Sequence, residues 1–217
     1  MSTTTIVILI LVCLISYLVG AIPWGYLIGK RHGVDIRKLG SRNIGATNVT
    51  RVIGKWNGRL CFILDFLKGF IPVFVVTLLL QNKYIADSYH LTQMAAALCA
   101  VLGHMFPVYL WFHGGKGVAT AAGTLLALAP FSFIIAGIVW IVVYLLSRYV
   151  SLASLSAAAV LPVCATLISW LGQPDYYHSP YVLAFLYFLA VITILKHTAN
   201  IKRLLNGTEN KFEKKKG

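Results

Sequence analysis

The stretch V-A-T-A-A-G-T-L-L-A-L-A, residues 118–129, decides how this chain is threaded. As a helix, twelve residues rising ~1.5 Å each reach about 18 Å, short of a hydrocarbon core about 30 Å thick. The stretch is therefore either a crossing that continues past Pro130 to about Phe133, or a re-entrant hairpin. Every later segment changes sides with that choice. Upstream lie apolar runs at Ile6–Ile28, Leu60–Leu80 and Leu91–Trp111; downstream lie a run ending at Arg148 and two more at Leu152–Leu171 and Tyr181–Leu195.

Basic residues choose between the two readings. With 118–133 crossing, one side of the membrane receives the eight Lys and Arg of residues 30–59, Lys116, Arg148 and the seven from Lys196 onward. Lys68 lies within a run and Lys83 alone falls on the other side. The hairpin would export the seven-charge tail, against the bias that keeps Lys and Arg cytoplasmic. The sequence thus predicts an all-α, polytopic membrane helix bundle of seven transmembrane helices, N-terminus outside and C-terminus cytoplasmic. Residues 1–217 read as a single domain with a cytoplasmic loop at 30–59 and a cytoplasmic tail at 196–217.

Composition agrees. Of 217 residues, 59% are hydrophobic and 12% charged, where soluble domains carry about 25% charged residues. No basic residue precedes Ile6 and Lys30-Arg31 follow the first run, the reverse of a secretory signal, so a retained span is expected. Gly20, Pro23, Gly25 and Gly29 predict a kink or a close helix contact near its inner end. Asp65 and Lys68 stand one helical turn apart, roughly 8 and 12 Å inside the second run, so they should pair with each other or face a wet cavity. The four cysteines, Cys13, Cys61, Cys99 and Cys164, sit in apolar runs without ligand spacing and read as packing residues.

A net charge of +13 suits nucleic acid, anionic lipid or an anionic substrate. No basic stripe interleaved with aromatics marks a nucleic-acid groove. The charge instead sits in polar connections at the inner ends of helices. Gly40–Arg51, G-S-R-N-I-G-A-T-N-V-T-R, holds two glycines, three hydroxyls (Ser41, Thr47, Thr50), two asparagines, two arginines and no acid. This is an inventory for holding an oxyanion. Arg42 and Arg51 also suit simple anchoring on the inner face.

Gly114-Gly115-Lys116-Gly117 puts one ammonium among three glycines just before the helix that begins at Val118, whose N-terminus favours an anion. It lacks the spacing and preceding strand of a nucleotide-binding loop, and an ordinary tight turn also fits it. His197 and Asn200 lie three apart where a helix leaves the membrane, placed to orient or deprotonate a hydroxyl or simply to pack. His104 and His113 flank the inner end of the third run. Ser151 and Ser154 either donate to phosphate or cap a helix. Without H-E-x-x-H, paired cysteines or clustered carboxylates, no metal and no cofactor is expected. Without a G-x-S-x-G elbow, the chemistry that fits is one where positioning and oxyanion stabilisation suffice, such as acyl transfer from a pre-activated donor to a hydroxyl.

The chain resembles the bacterial acyl-phosphate:glycerol-3-phosphate acyltransferase family. The resemblance rests on G-S-R-N-I-G-A-T-N-V-T-R (40–51), D-F-L-K-G (65–69), G-H-M-F-P (103–107), G-G-K-G-V-A-T (114–120), R-Y-V-S-L-A-S (148–154) and H-T-A-N-I-K-R-L-L-N-G-T-E (197–209), in order along the whole chain. It implies a multi-pass protein of the bacterial inner membrane whose site faces the cytoplasm. The implied reaction moves a fatty acyl group from acyl phosphate to the sn-1 hydroxyl of glycerol 3-phosphate, giving lysophosphatidate and phosphate. The resemblance further implies that the 40–48 loop, including Ser41, Asn43, Gly45, Thr47 and Asn48, cradles phosphate together with Arg51 and Gly114, Gly115, Lys116 and Gly117. His197 and Asn200 would orient the glycerol, Ser154 would support that pocket, and Glu209 would hold the tail. The family usually has Gly at the position of Arg42 and Lys at that of His113, so Arg42 must either point away from a crowded turn or join the phosphate site. Two other readings stand beside this one: a transporter of a phosphorylated solute, and an anchor acting through the Lys214–Lys216 tail.

Overall fold

The computed structural model describes residues 3–81, 90–170 and 179–212. The turns with Lys83, Asp87 and Asp175, expected on the outer side, and the Lys214–Lys216 tail lie outside the described residues. The chain falls into two compact units, Met1–Ala129 and Pro130–Gly217.

The first unit begins with α1 (Thr3–Ala21) and α2 (Trp24–Arg31). The break between them falls at Ile22-Pro23, where the kink was expected. α3 (Ala46–Val52) and α4 (Lys55–Gln81) follow, then α5 (Leu91–Met105) and α6 (Val118–Leu128). Short 3-10 turns occupy Ile36–Lys38 and Val108–Leu110.

Glycines set how closely these helices approach. A Cβ on Gly20 of α1 would strike the Ala100 carbonyl of α5, and one on Gly103 of α5 would strike the Tyr17 carbonyl of α1. Gly69 of α4 and Gly123 of α6 make the same reciprocal contact through the carbonyls of Thr120 and Phe66. Such backbone-to-backbone approach is how helices associate where lipid removes the hydrophobic driving force. Asp65 and Lys68 pair at 2.9 Å inside α4, both 2% exposed at the side chain.

The second unit contains α7 (Pro130–Ser147), α8 (Val150–Trp170), α9 (Pro180–Lys196) and α10 (Thr198–Leu205). α9 and α10 meet at a 58° bend. α8 packs on both α7 and α9.

Among the described residues, five helices are long and apolar enough to cross a membrane, or six if the bent pair counts as one crossing. Their outer faces expose Ile10, Leu14, Phe62, Ile71, Ile138 and Ile141, apolar surface suited to lipid. The protein is an all-helical, multi-pass membrane protein. One expectation is corrected. The helix beginning at Val118 does not run past Pro130 to Phe133; it ends at Leu128 and Pro130 starts α7. Proline has no N–H to continue a helix but fits the first position of a new one.

Candidate active site

The 30–59 loop of the first unit folds over its own small core. Ile28, Ile36, Ile44, Val49, Cys61 and Leu110 pack together there, with Tyr26, Ala46 and Ile53 against them. Leu110 precedes the Gly114–Gly117 turn closely, so both glycine-bearing segments of this unit grow from one apolar cluster.

Asn48 frames the loop. Its Oδ1 accepts the Ser41 N–H at 2.8 Å, and its Nδ2 donates to the carbonyls of Ile36, Leu39 and Asn43 at 3.2, 3.0 and 2.9 Å. Three acceptors share two amide hydrogens in a buried position, which commits this side chain to shaping the turn. Gly40 lies against it at φ +58, where a Cβ would strike Asn48 Oδ1. Asn43 Oδ1 accepts the Gly45 N–H at 2.9 Å, turning the chain into α3. Thr47 is half-buried in the first turn of α3, and Arg51 is half-buried at its end.

Ser41 and Arg42 are exposed. Arg42 has φ +58, a left-handed conformation that glycine adopts at no cost. The position therefore suits the glycine usual in the family the chain resembles. Below the loop, Asp35 receives the Arg37 backbone N–H at 3.0 Å and its guanidinium at 3.0 and 2.8 Å. The Arg37 side-chain hydrogen bonds hold the Asp35 carboxyl down at about 2.

The Gly114–Gly117 turn needs each of its glycines. A Cβ on Gly114 would meet the carbonyls of His104 and Met105, one on Gly115 would meet the His104 imidazole, and Gly117 has φ +81. The Gly115 N–H donates to the His104 carbonyl at 3.1 Å, and Gly117 O accepts the Ala121 N–H at 2.7 Å as α6 begins. Lys116 is half-buried within this turn. His113 is exposed, and its Nδ1 lies 2.6 Å from the Trp111 carbonyl.

In the second unit, Glu209 is the hub. Its Oε1 accepts from Ser151 Oγ at 3.1 Å and Asn200 Nδ2 at 2.8 Å, and its Oε2 pairs with Arg203 Nε at 2.7 Å. Burial pushes this carboxyl up, but the bonds from Asn200, Arg203 and Ser151 outweigh it and leave the group below its ordinary value. Glu209 thus joins α8, α10 and the segment after α10, and the Phe212 N–H continues that docking onto the Arg148 carbonyl at 3.1 Å. His197 is buried at the α9–α10 bend, with Nδ1 2.8 Å from the Thr193 carbonyl. That contact puts the proton on Nδ1 and makes Nε2 the basic nitrogen. Ser154 donates to the Val150 carbonyl at 2.8 Å and accepts from Trp140 Nε1 at 3.1 Å, so its hydroxyl ties α8 to α7.

Comparison with known proteins places this arrangement. A family model described as glycerol-3-phosphate acyltransferase matches residues 10–207. The glycerol-3-phosphate acyltransferase of Aquifex aeolicus is 43% identical over 198 residues, covering 91% of this chain and 95% of that protein. This chain belongs to the glycerol-3-phosphate acyltransferase family. The Desulfotalea psychrophila acyltransferase is likewise 43% identical, over 93% of this chain and 97% of its own length. Two crystal structures of PlsY (YgiH), an integral membrane glycerol 3-phosphate acyltransferase, share 40% identity with this chain and cover 94% of it. The glycerol 3-phosphate form matches with a TM-score of 0.81 and the lysophosphatidic acid form with 0.78, covering 96% and 95% of those chains. Spacing did not show that Asn48 is a frame, or that Ser151 and Glu209 fix Asn200.

Proposed function

We propose that this acyltransferase moves a fatty acyl group from acyl phosphate to the sn-1 hydroxyl of glycerol 3-phosphate, releasing lysophosphatidate and phosphate. The observation that carries the reading is the Gly114–Gly117 turn, whose three glycines strip side chains from the backbone around Lys116. The PlsY relatives, with glycerol 3-phosphate and lysophosphatidic acid forms, supply the acceptor and product.

The hydroxyl oxygen attacks the acyl carbonyl carbon, the bond from that carbon to the phosphate oxygen breaks, and phosphate leaves with the electron pair. The hydroxyl proton passes to the leaving phosphate or to His197 Nε2. Because the donor is already activated, no acyl-enzyme is needed. Ser41, Arg51, Lys116 and the loop residues Asn43, Gly45, Thr47, Gly114, Gly115 and Gly117 hold phosphate, with Asn48 shaping the loop. His197 and Asn200 orient the glycerol, and Ser154 supports that pocket by tying α8 to α7.

The same reading takes α6 as a short seventh crossing and puts the N-terminus outside. The loops and the C-terminus then face the cytoplasm of a bacterial cell, in its inner membrane. Purified protein in lipid vesicles, given acyl phosphate and glycerol 3-phosphate, should form lysophosphatidate. Labelled donor should leave no acyl group on Ser41 or Ser154. Absence of product, or a trapped acyl-serine, overturns the reaction or its direct route respectively.

A further inference from the structure

The buried charges of α4 reach the phosphate turn through one imidazole. Asp65 Oδ1 lies 2.9 Å from Lys68 Nζ and 3.6 Å from His104 Nδ1. On its other carboxylate oxygen, Asp65 receives Cys61 Sγ at 3.6 Å. Lys68 Nζ also donates to the Ile22 carbonyl at 2.7 Å, the acceptor at the α1–α2 break. All three charged or basic side chains are at most 4% exposed. On its far side, the His104 ring presents Nε2 where a Cβ of Gly115 would stand, while the His104 carbonyl takes the Gly115 N–H. One residue thus meets the turn twice, through a hydrogen bond to its carbonyl and through close packing against its ring.

A buried ion pair in a membrane helix is a poor source of net stability, since desolvation offsets most of its attraction. A merely structural role would be served as well by apolar packing. What the pair does here is set a carboxylate 3.6 Å from a ring that borders the turn and an ammonium on a carbonyl at a helix break.

We propose that Asp65, Lys68 and His104 are positioning residues that hold the Gly114–Gly117 turn in its phosphate-binding shape and lock it to the break at Ile22. The catalytic consequence rests on the phosphate reading of that turn. The geometric claim does not.

The test uses full-length protein in lipid nanodiscs, comparing wild type with His104→Gln and with a double variant carrying Asp65→Asn and Lys68→Met, which removes both charges together. Tryptic cleavage after Lys116 reports the order of the turn, and cleavage after Lys202, in the other unit, is the internal reference. Steady-state acyl transfer reports function. Both variants should speed cleavage after Lys116 about tenfold with Lys202 unchanged, and raise the KM for a phosphorylated substrate about tenfold while kcat stays within about threefold. Unchanged cleavage after Lys116 overturns the proposal, as does a lower maximal rate with unaltered KM, which is the mark of less folded enzyme. Faster cleavage with KM and maximal rate both unaltered supports the positioning and instead removes phosphate from the turn. His104→Gln, which leaves the α4 pair intact, decides the matter if the double variant does not fold.

Discussion

Asn48 gathers the carbonyls of Ile36, Leu39 and Asn43 and returns an acceptor to Ser41, whereas Glu209 gathers donors from Ser151, Asn200 and Arg203. Each organises a polar segment at the end of membrane helices, one in each compact unit. Their charge differs for a reason. On the function proposed above, the 40–51 loop presents N–H groups and cations to an anion, and a carboxylate there would repel it. A neutral amide that both donates and accepts can close the turn without adding charge. Near Glu209 the charge is matched by Arg203, and the acid docks the tail and holds Asn200, so a strong acceptor can collect several donors.

The comparison breaks most readily at Asn48. Asn48→Ala removes a buried amide that bonds the carbonyls of Ile36, Leu39 and Asn43 and the Ser41 N–H, a loss of about 2 kcal/mol, or roughly thirtyfold in local opening. Amide exchange across residues 36–48 should rise accordingly, with acyl transfer falling in step. Exchange unchanged there would mean Asn48 does not frame the loop.

Isosteric charge swaps sharpen the contrast. Asn48→Asp removes the donors and brings a negative charge into the anion loop, so it should raise the KM for a phosphorylated substrate about tenfold. Glu209→Gln keeps one acceptor oxygen for Ser151 and Asn200 but turns a donor NH2 toward Arg203, losing that contact at a cost of about 1 kcal/mol in docking of the tail. Equal effects from the two swaps would dissolve the distinction.

Acid should also separate the two units. Glu209 is held below its ordinary carboxyl value of 4.5 in the folded state. It therefore contributes stability that is complete above that value and is lost as pH falls through the lower folded-state value. Protection of the amides at residues 203–212, taken relative to the intrinsic exchange rate at each pH, should fall as the pH drops below 4.5, whereas the carboxyl nearest the Asn48 frame, Asp35, is held down at about 2 and should keep that loop protected to lower pH. Glu209→Gln should abolish the early loss of protection.

The smallest effect belongs to Arg42. Replacing it by glycine relieves a left-handed arginine and should stabilise the loop by about 0.5–1 kcal/mol, after the greater flexibility of unfolded glycine is subtracted. A chemical-denaturation series resolves that gain; a loss of stability would show that the arginine side chain contributes an unsuspected contact.

Sequence made some of these features visible and hid others. The apolar runs marked the long helices, Pro23 marked the break in the first one, and the spacing of Asp65 and Lys68 gave their pairing. Proline was ambiguous. Pro72 and Pro162 lie inside α4 and α8, whereas Pro130 starts a helix, and no local signal distinguishes them. The motif segments were legible because glycine and cation content has a direct chemical meaning. Which members shape the turn was not, since the acceptors of Asn48 are main-chain carbonyls that carry no residue signature. Ser151 and Glu209 are 58 residues apart in sequence, so their bond exists only through the packing of α8 beside α10.

The phosphate-holding role of the glycine turn is tested most directly by Lys116→Met, measured as KM for acyl phosphate and for glycerol 3-phosphate in lipid vesicles, with helicity checked by circular dichroism. Removing the ammonium should raise the KM for both substrates about tenfold or more while the helices stay intact. Unchanged kinetics with the fold preserved would contradict it.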